Sequence, residues 1–368
     1  MKGIRLVVVA AALSIAASVT IANAAATPPR PRVEVAFVLD STGSMGGLIE
    51  GAKQKIWSIA GAIIARRPAP EVRIGLITYR DRGDQYVTRL FDLTADIDAV
   101  FGNLQSFQAD GGGDDEESVN QALREAVQRL SWSPDRGVLK VVFLVGDYPP
   151  HMDYHGELRY PDICREAAGR DLVINTVQCG DVPETARVWR EIARLAEGSY
   201  VALEQSGNMQ AVSTPYDDEM ARLAAEVSRT VVPWGAHERQ EEATSKARLA
   251  AAAPAAVAAD RAAFNLATGG KAIQGSGDLV EDAAVVDLAK VEKDELPAEM
   301  QAMSLEEQKA YLARQKAARE KLNHRLADLA LLRADYMSKE QKRLAGAKDS
   351  FDLKVAEIVS TQLERKLH

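Results

Sequence analysis

The chain has 368 residues, with 45 Lys plus Arg against 53 Asp plus Glu and a formal net charge of -8. This balance, with no basic face, argues against a nucleic-acid partner, because a polyanion is held by clustered cations and the counterions they release. A hydrophobic fraction of 46% beside 27% charged residues excludes disorder throughout, and the length allows about two domains.

The first 24 residues read as an export signal. Lys2 and Arg5 precede an apolar run from Leu6 to Ile21, and Ala22, Asn23 and Ala24 give the small-x-small pattern at which signal peptidase cuts. The run is shorter than the roughly 20 residues a bilayer crossing needs, and no later stretch is apolar enough to span. The mature protein is therefore expected in a periplasm or outside the cell, cut near Ala24, with no cysteine there to carry a lipid.

From Arg32 to about Arg229 short β-branched runs alternate with amphipathic helical ones. Strands are predicted over 33–39, 72–78, 87–91, 139–145, 173–178 and 200–203, and helices over 48–65, 97–104, 117–130, 162–168, 184–196 and 217–229. Near-continuous apolar strands such as Val141 to Val145 belong to a sheet buried on both faces. The predicted fold is α/β, a doubly wound, mostly parallel sheet over residues 32–230, with ligands beyond the carboxyl ends of its strands.

Residues 231–303 change character, with an Ala-rich tract (Ala250 to Ala263) and then Gly269, Gly270, Gly275 and Gly277, and read as a linker region. Residues 304–368 read as helical, opened by a Ser304–Glu307 capping box. Leu322, Leu329 and Tyr336 recur at heptad spacing, with Leu305, Leu312 and Leu326 in the second register, while Arg319 and Arg333 interrupt it. A break near Gly346 and a second stripe of Phe351, Val355, Ile358 and Val359 predict a helical arm or hairpin that can self-associate, with coiled-coil character. The two cysteines, Cys164 and Cys179, are the even pair expected of one disulfide in an oxidising compartment; two buried thiols are the alternative.

Chemistry concentrates where strands end. Asp40-Ser41-Thr42-Gly43-Ser44 follows the first buried strand and offers one carboxylate and two hydroxyls, oxygen donors suited to a hard divalent cation. Gly111-Gly112-Gly113-Asp114 precedes the third helix, and Asp147 follows the fourth strand. Thr42 and Ser44 equally suit turn hydroxyls, Asp114 with Glu117 a helix cap, and Asp147 a plain turn. His151, Asp153 and His155 form an H-x-D-x-H run in a Pro-rich loop, a weaker transition-metal candidate. No phosphate-binding loop is present, and Ser44 lacks the first Gly of a nucleophile elbow, so catalysis is not expected.

The three loops resemble the metal ion-dependent adhesion site of the von Willebrand factor A family, the Gly-Gly-Gly-Asp stretch being most similar to hemicentin-type domains. The resemblance covers Arg32 to about Arg229. It implies that Asp40, Thr42, Ser44, Asp114 and Asp147 hold one Mg²⁺ (Ca²⁺ or Mn²⁺ as alternatives). One coordination position then stays open for an acidic side chain of a protein partner. Asp114 stands where the family usually has Thr; a third carboxylate overneutralises a dication and weakens capture of an acidic ligand. The function expected is metal-dependent adhesion or protein binding, against a metal-dependent hydrolase or a structural envelope protein whose ion stabilises the fold.

Overall fold

The computed structural model describes residues 30–66, 68–113, 115–209, 212–343 and 350–367. The expected export signal, the break near Gly346 and Asp114 lie outside the described residues. Strand β1 (Arg32–Asp40) leads through a short 3-10 turn into helix α1 (Gly46–Ile64). Then come β2 (Glu71–Tyr79), β3 (Thr88–Thr94), α2 (Ile97–Gln105), α3 (Val119–Arg129), β4 (Leu139–Gly146), α4 (Tyr160–Gly169), β5 (Leu172–Cys179), α5 (Pro183–Leu195) and β6 (Tyr200–Leu203).

The strands form one sheet in the order β3-β2-β1-β4-β5-β6, parallel except for the β2–β3 hairpin. This is the doubly wound, mostly parallel architecture the strand pattern predicts. Period-two alternation sorts β1 between two cores. Val33, Val35, Phe37 and Leu39 pack toward α1 and α2, and Ala36 and Val38 toward α3, α4 and α5. The chain leaves β1 for β2 on one side and returns to β4 on the other, so the crevice between the carboxyl ends of β1 and β4 is the topological switch point.

The stretch expected as a linker is folded. It carries α7 (His237–Ala252), α8 (Ala255–Ala267) and α9 (Leu279–Asp282), following α6 (Asp217–Ser228). Ala259 and Ala262 of α8 lie buried with Met220 and Leu223 of α6, because methyl side chains let the helix axes approach closely. Buried Arg261 ties α8 to the sheet domain: Nε donates to Asp98 Oδ1 at 2.7 Å and an amino group to Oδ2 at 2.8 Å.

Two further helices follow, α10 (Leu305–Arg343) and α11 (Phe351–Leu367). The capping box is present, with Ser304 N–H donating to Glu307 Oε2 at 2.7 Å. Arg319 and Arg333, which break the heptad register, are buried ion-pair partners. Arg319 meets Asp278 and Glu281, both at 2.7 Å, and Arg333 meets Asp217 at 2.7 Å and Asp260 at 2.6 Å. The apolar face of α10 is used within the chain, Leu326 and Leu329 packing with α6 and α8. Helix α11 does not close a hairpin onto that face. Phe351, Val355, Ile358, Val359 and Leu363 are buried in the core over the sheet, beside α1. Among the described residues no helix is long and apolar enough to cross a membrane.

The disulfide expected between Cys164 and Cys179 is not formed; both are buried free thiols. Cys164 on α4 packs in the core shared with α3 and α5, whereas Cys179 at the end of β5 points into the core on the opposite face, so the sheet separates them. Burial pushes the Cys164 thiol up to about 12 and Cys179 higher still, which keeps both protonated and unreactive.

Candidate metal centre

Asp40 is the last residue of β1 and is fully buried. Its Oδ1 accepts from the Thr42 backbone N–H at 2.8 Å and from the Thr42 hydroxyl at 2.7 Å, and Thr42 Oγ1 lies 3.4 Å from Ser44 Oγ. The Thr42 side chain makes no capping bond to the 3-10 turn that follows, so its hydroxyl is committed to the carboxylate. Asp147 directly follows β4 and is 2% exposed. Its carbonyl accepts from the Thr185 hydroxyl at 2.7 Å, and its Oδ2 accepts from the Gln205 amide at 2.7 Å. A Cβ on Gly146 would overlap the Tyr79 hydroxyl and stand 3.3 Å from Asp40 Oδ2, so glycine is what lets β4 end this close to Asp40.

The second loop is fastened to the first by Asp110 N–H donating to the Ser41 carbonyl at 3.1 Å and Gly43 N–H to the Gly111 carbonyl at 3.3 Å. Gly111 and Gly112 have φ of 82° and 92°, which L side chains rarely adopt, and a Cβ on Gly111 would overlap the Asp84 carboxylate. At its far end the same loop pairs with the third: Glu117 N–H donates to the Pro149 carbonyl and His151 N–H to the Glu117 carbonyl, both at 3.1 Å.

That pairing corrects the reading of Glu117 as a helix cap. Helix α3 begins at Val119, and Glu117 is 2% exposed, with its side chain carried inward. Burial, and then Asp40, Asp81 and Asp147 in that order, push its carboxyl up to about 10. Glu117 is therefore a residue of the site that reading by motif passes over. Its signal was positional, since it is the last acid of the run and its successors enter the apolar face of α3. Gln205, two residues beyond β6, had no comparable local signal.

Burial first and Asp147 second push the Asp40 carboxyl up to about 8. Burial and Asp40 also push the Tyr79 phenol well above its ordinary value. Asp40 Oδ2, Asp147 Oδ1 and Glu117 Oε2 are buried oxygens without a hydrogen-bond partner. Burying an acceptor unpaired costs free energy, and repulsion among these carboxyls adds to it, the condition a cation relieves. Among the described residues no group of three His, Cys, Asp or Glu side chains is spaced to grip an ion. The donor set is two carboxylates with the hydroxyls of Thr42 and Ser44, a hard-oxygen set that suits Mg²⁺.

The H-x-D-x-H run serves as a fastener. His151 lies 3.0 Å from Asp153 Oδ1 through Nδ1 and 3.6 Å from Asp81 Oδ2 through Nε2, and stacks on Tyr154 with ring centroids 4.2 Å apart. The Tyr154 hydroxyl donates to Asp81, and His155 is exposed.

Residues 35–149, from β1 through the start of the third loop, match the family model of the von Willebrand factor type A domain. Over this stretch, less than half of its length, the chain carries a von Willebrand factor type A domain. Over 149 residues it is 24% identical to a putative ariadne-like RING finger protein of Acanthamoeba polyphaga mimivirus, covering 40% of this chain and 14% of that protein's length. Similar solved structures include BatB from Bacteroides thetaiotaomicron, at 18% identity, covering 47% of this chain and 90% of that one, TM-score 0.36. The SpRpn10 VWA domain is similar at 14% identity, covering 49% and 91%, TM-score 0.37. Proximal thread matrix protein 1 of the mussel byssus is similar at 13% identity, covering 49% and 44%, TM-score 0.35.

Proposed function

We propose that the A domain holds one divalent cation, Mg²⁺ before Ca²⁺ or Mn²⁺, in an adhesion-type site and uses that face to bind a protein partner. A domains commonly mediate protein–protein interaction. The observation that carries the reading is that Asp40 and Asp147, on either side of the switch point, each keep one buried oxygen unpartnered. Asp40, Thr42, Ser44 and Asp147 hold the ion, with Asp114 as the second-loop ligand that the hemicentin-like motif implies and Glu117 adding negative charge behind them. The ion supplies a positive point at which an oxygen of the partner, an acidic side chain in the reading by resemblance, completes coordination. Three carboxylates make that capture weak.

The protein acts after export, with the signal removed near Ala24, and without catalysis. Ser44 lacks the first Gly of a nucleophile elbow and the chain has no phosphate-binding loop, which is what supports leaving catalysis out of this reading. Helix α10, whose Leu331 and Leu332 are 74% and 49% exposed, is the surface available for self-association. Calorimetric titration with Mg²⁺ of the wild type and Asp40→Ala tests the site, and binding that survives the substitution overturns it. Capture of partners from an envelope extract with and without EDTA separates adhesion from an ion that only stabilises the fold, and the intact mass of the exported protein reports the cut.

A further inference from the structure

Each of the two carboxylates at the switch point has one oxygen taken by the protein and one left over. In Asp40 the Thr42 N–H and hydroxyl hold Oδ1, leaving Oδ2. In Asp147 the Gln205 amide holds Oδ2 at 2.7 Å, leaving Oδ1. A carboxylate held in this way meets a cation through a single oxygen. That geometry matches Mg²⁺, which requires near-octahedral ligands at about 2.1 Å, and disfavours Ca²⁺, which takes about 6–8 ligands at longer range and gains from bidentate carboxylates.

The restraint on Asp40 comes from its own loop, two residues away. The restraint on Asp147 comes from a distant segment whose position is itself fixed. Gln205 Nε2 also lies 3.4 Å from the Ser44 carbonyl and 3.6 Å from Met45 Sδ, so the one amide spans the first and third loops. Its loop is held before and after Gln205: the Leu203 carbonyl accepts from the Gly180 N–H at 2.9 Å, and the Gly207 carbonyl accepts from the Phe351 N–H at the start of α11 at 2.9 Å. A Cβ on Gly207 would press on Leu48 of α1 at 2.9 Å, so glycine is what lets the loop lie close against that helix.

We propose that Gln205 is a selectivity residue of the metal centre, confining Asp147 to one-oxygen contact and so favouring Mg²⁺ over Ca²⁺. It is a positioning residue, acting through Asp147. The inference rests on the metal-binding reading above.

The test is calorimetric titration of the full chain with Mg²⁺ and with Ca²⁺, for wild type, Gln205→Met and Gln205→Ala. Met keeps the bulk of the side chain against Met45 and removes the donor. Loss of a group that orients a metal ligand typically weakens affinity about 10- to 100-fold. Freed to turn, Asp147 offers both oxygens, so the loss is expected to fall on Mg²⁺ and the Mg²⁺-to-Ca²⁺ affinity ratio to move toward Ca²⁺ by about threefold or more in both variants. A smaller change in that ratio, or one toward Mg²⁺, overturns the proposal even where both affinities fall together, since uniform loss is what a merely structural role produces. Melting of the metal-free variants near the wild-type temperature shows that they are folded. A wild type that binds neither ion defeats the metal-binding reading itself, a result distinct from an unchanged ratio.

Discussion

Replacing Asp40 by Asn is expected to stabilise the metal-free protein while removing its response to Mg²⁺. Burial, then Asp147, lifts the Asp40 carboxyl from 3.8 to about 8 in the folded state. The native protein therefore keeps a proton that the unfolded chain releases, and stability falls as pH rises from 3.8 toward about 8, then levels off. At about 1.4 kcal/mol per pH unit, the loss reached near pH 7 is on the order of 4 kcal/mol before relaxation and water entry reduce it. Asn carries no such linkage, keeps an acceptor for Thr42 and places a donor beside Asp147. A recovered stability of about 2 kcal/mol raises the melting temperature by roughly 3 °C in a protein of this size, at about 2.1 cal/mol/K of unfolding entropy per residue. The assay is thermal unfolding by circular dichroism in EDTA and in excess Mg²⁺, at about pH 5 and about pH 8, comparing the two proteins at each pH. The wild type should gain more from Mg²⁺ at the higher pH, because the ion displaces a proton at the lower one, and the variant should gain little at either. An Asp40→Asn protein that melts in EDTA at or below the wild type at the higher pH would refute the electrostatic account of the site.

Arg261→Ala leaves the Asp98 carboxylate buried without its bidentate partner and should cost about 3–5 kcal/mol in urea unfolding; Arg261→Met with Asp98→Leu should recover most of it. Phe351→Ala removes a ring buried against Phe37, at 6.0 Å between centroids, and should cost about 3–5 kcal/mol if α11 belongs to the core over the sheet. A change below about 1 kcal/mol would mean that α11 is a detachable arm. Thiol titration without reductant should find Cys164 and Cys179 unreactive in the native protein and both reactive in denaturant; an absent pair in denaturant would restore the disulfide.

The alternation of apolar strands and amphipathic helices was sufficient for the sheet, because periodicity is a local property and a sheet buried on both faces writes it without interruption. Asp40, Thr42 and Ser44 were legible for the same reason, lying within one turn of chain. Other features depend on what a segment packs against. Arg319 and Arg333 look like faults in a heptad until Asp278 and Asp217 are placed opposite them. Phe351 and its stripe show that α11 is amphipathic but not which surface it covers. An even count of cysteines says nothing about the sheet that separates Cys164 from Cys179. Glu117 and Gln205 reach the candidate site only because strand order sets the ends of β1 and β4 side by side and draws loops from distant parts of the chain over them. Local sequence determined which segments are strands and helices and where oxygen-bearing side chains cluster; partner choice across the fold, which depends on burial and charge among residues far apart in the chain, was decided by the tertiary structure.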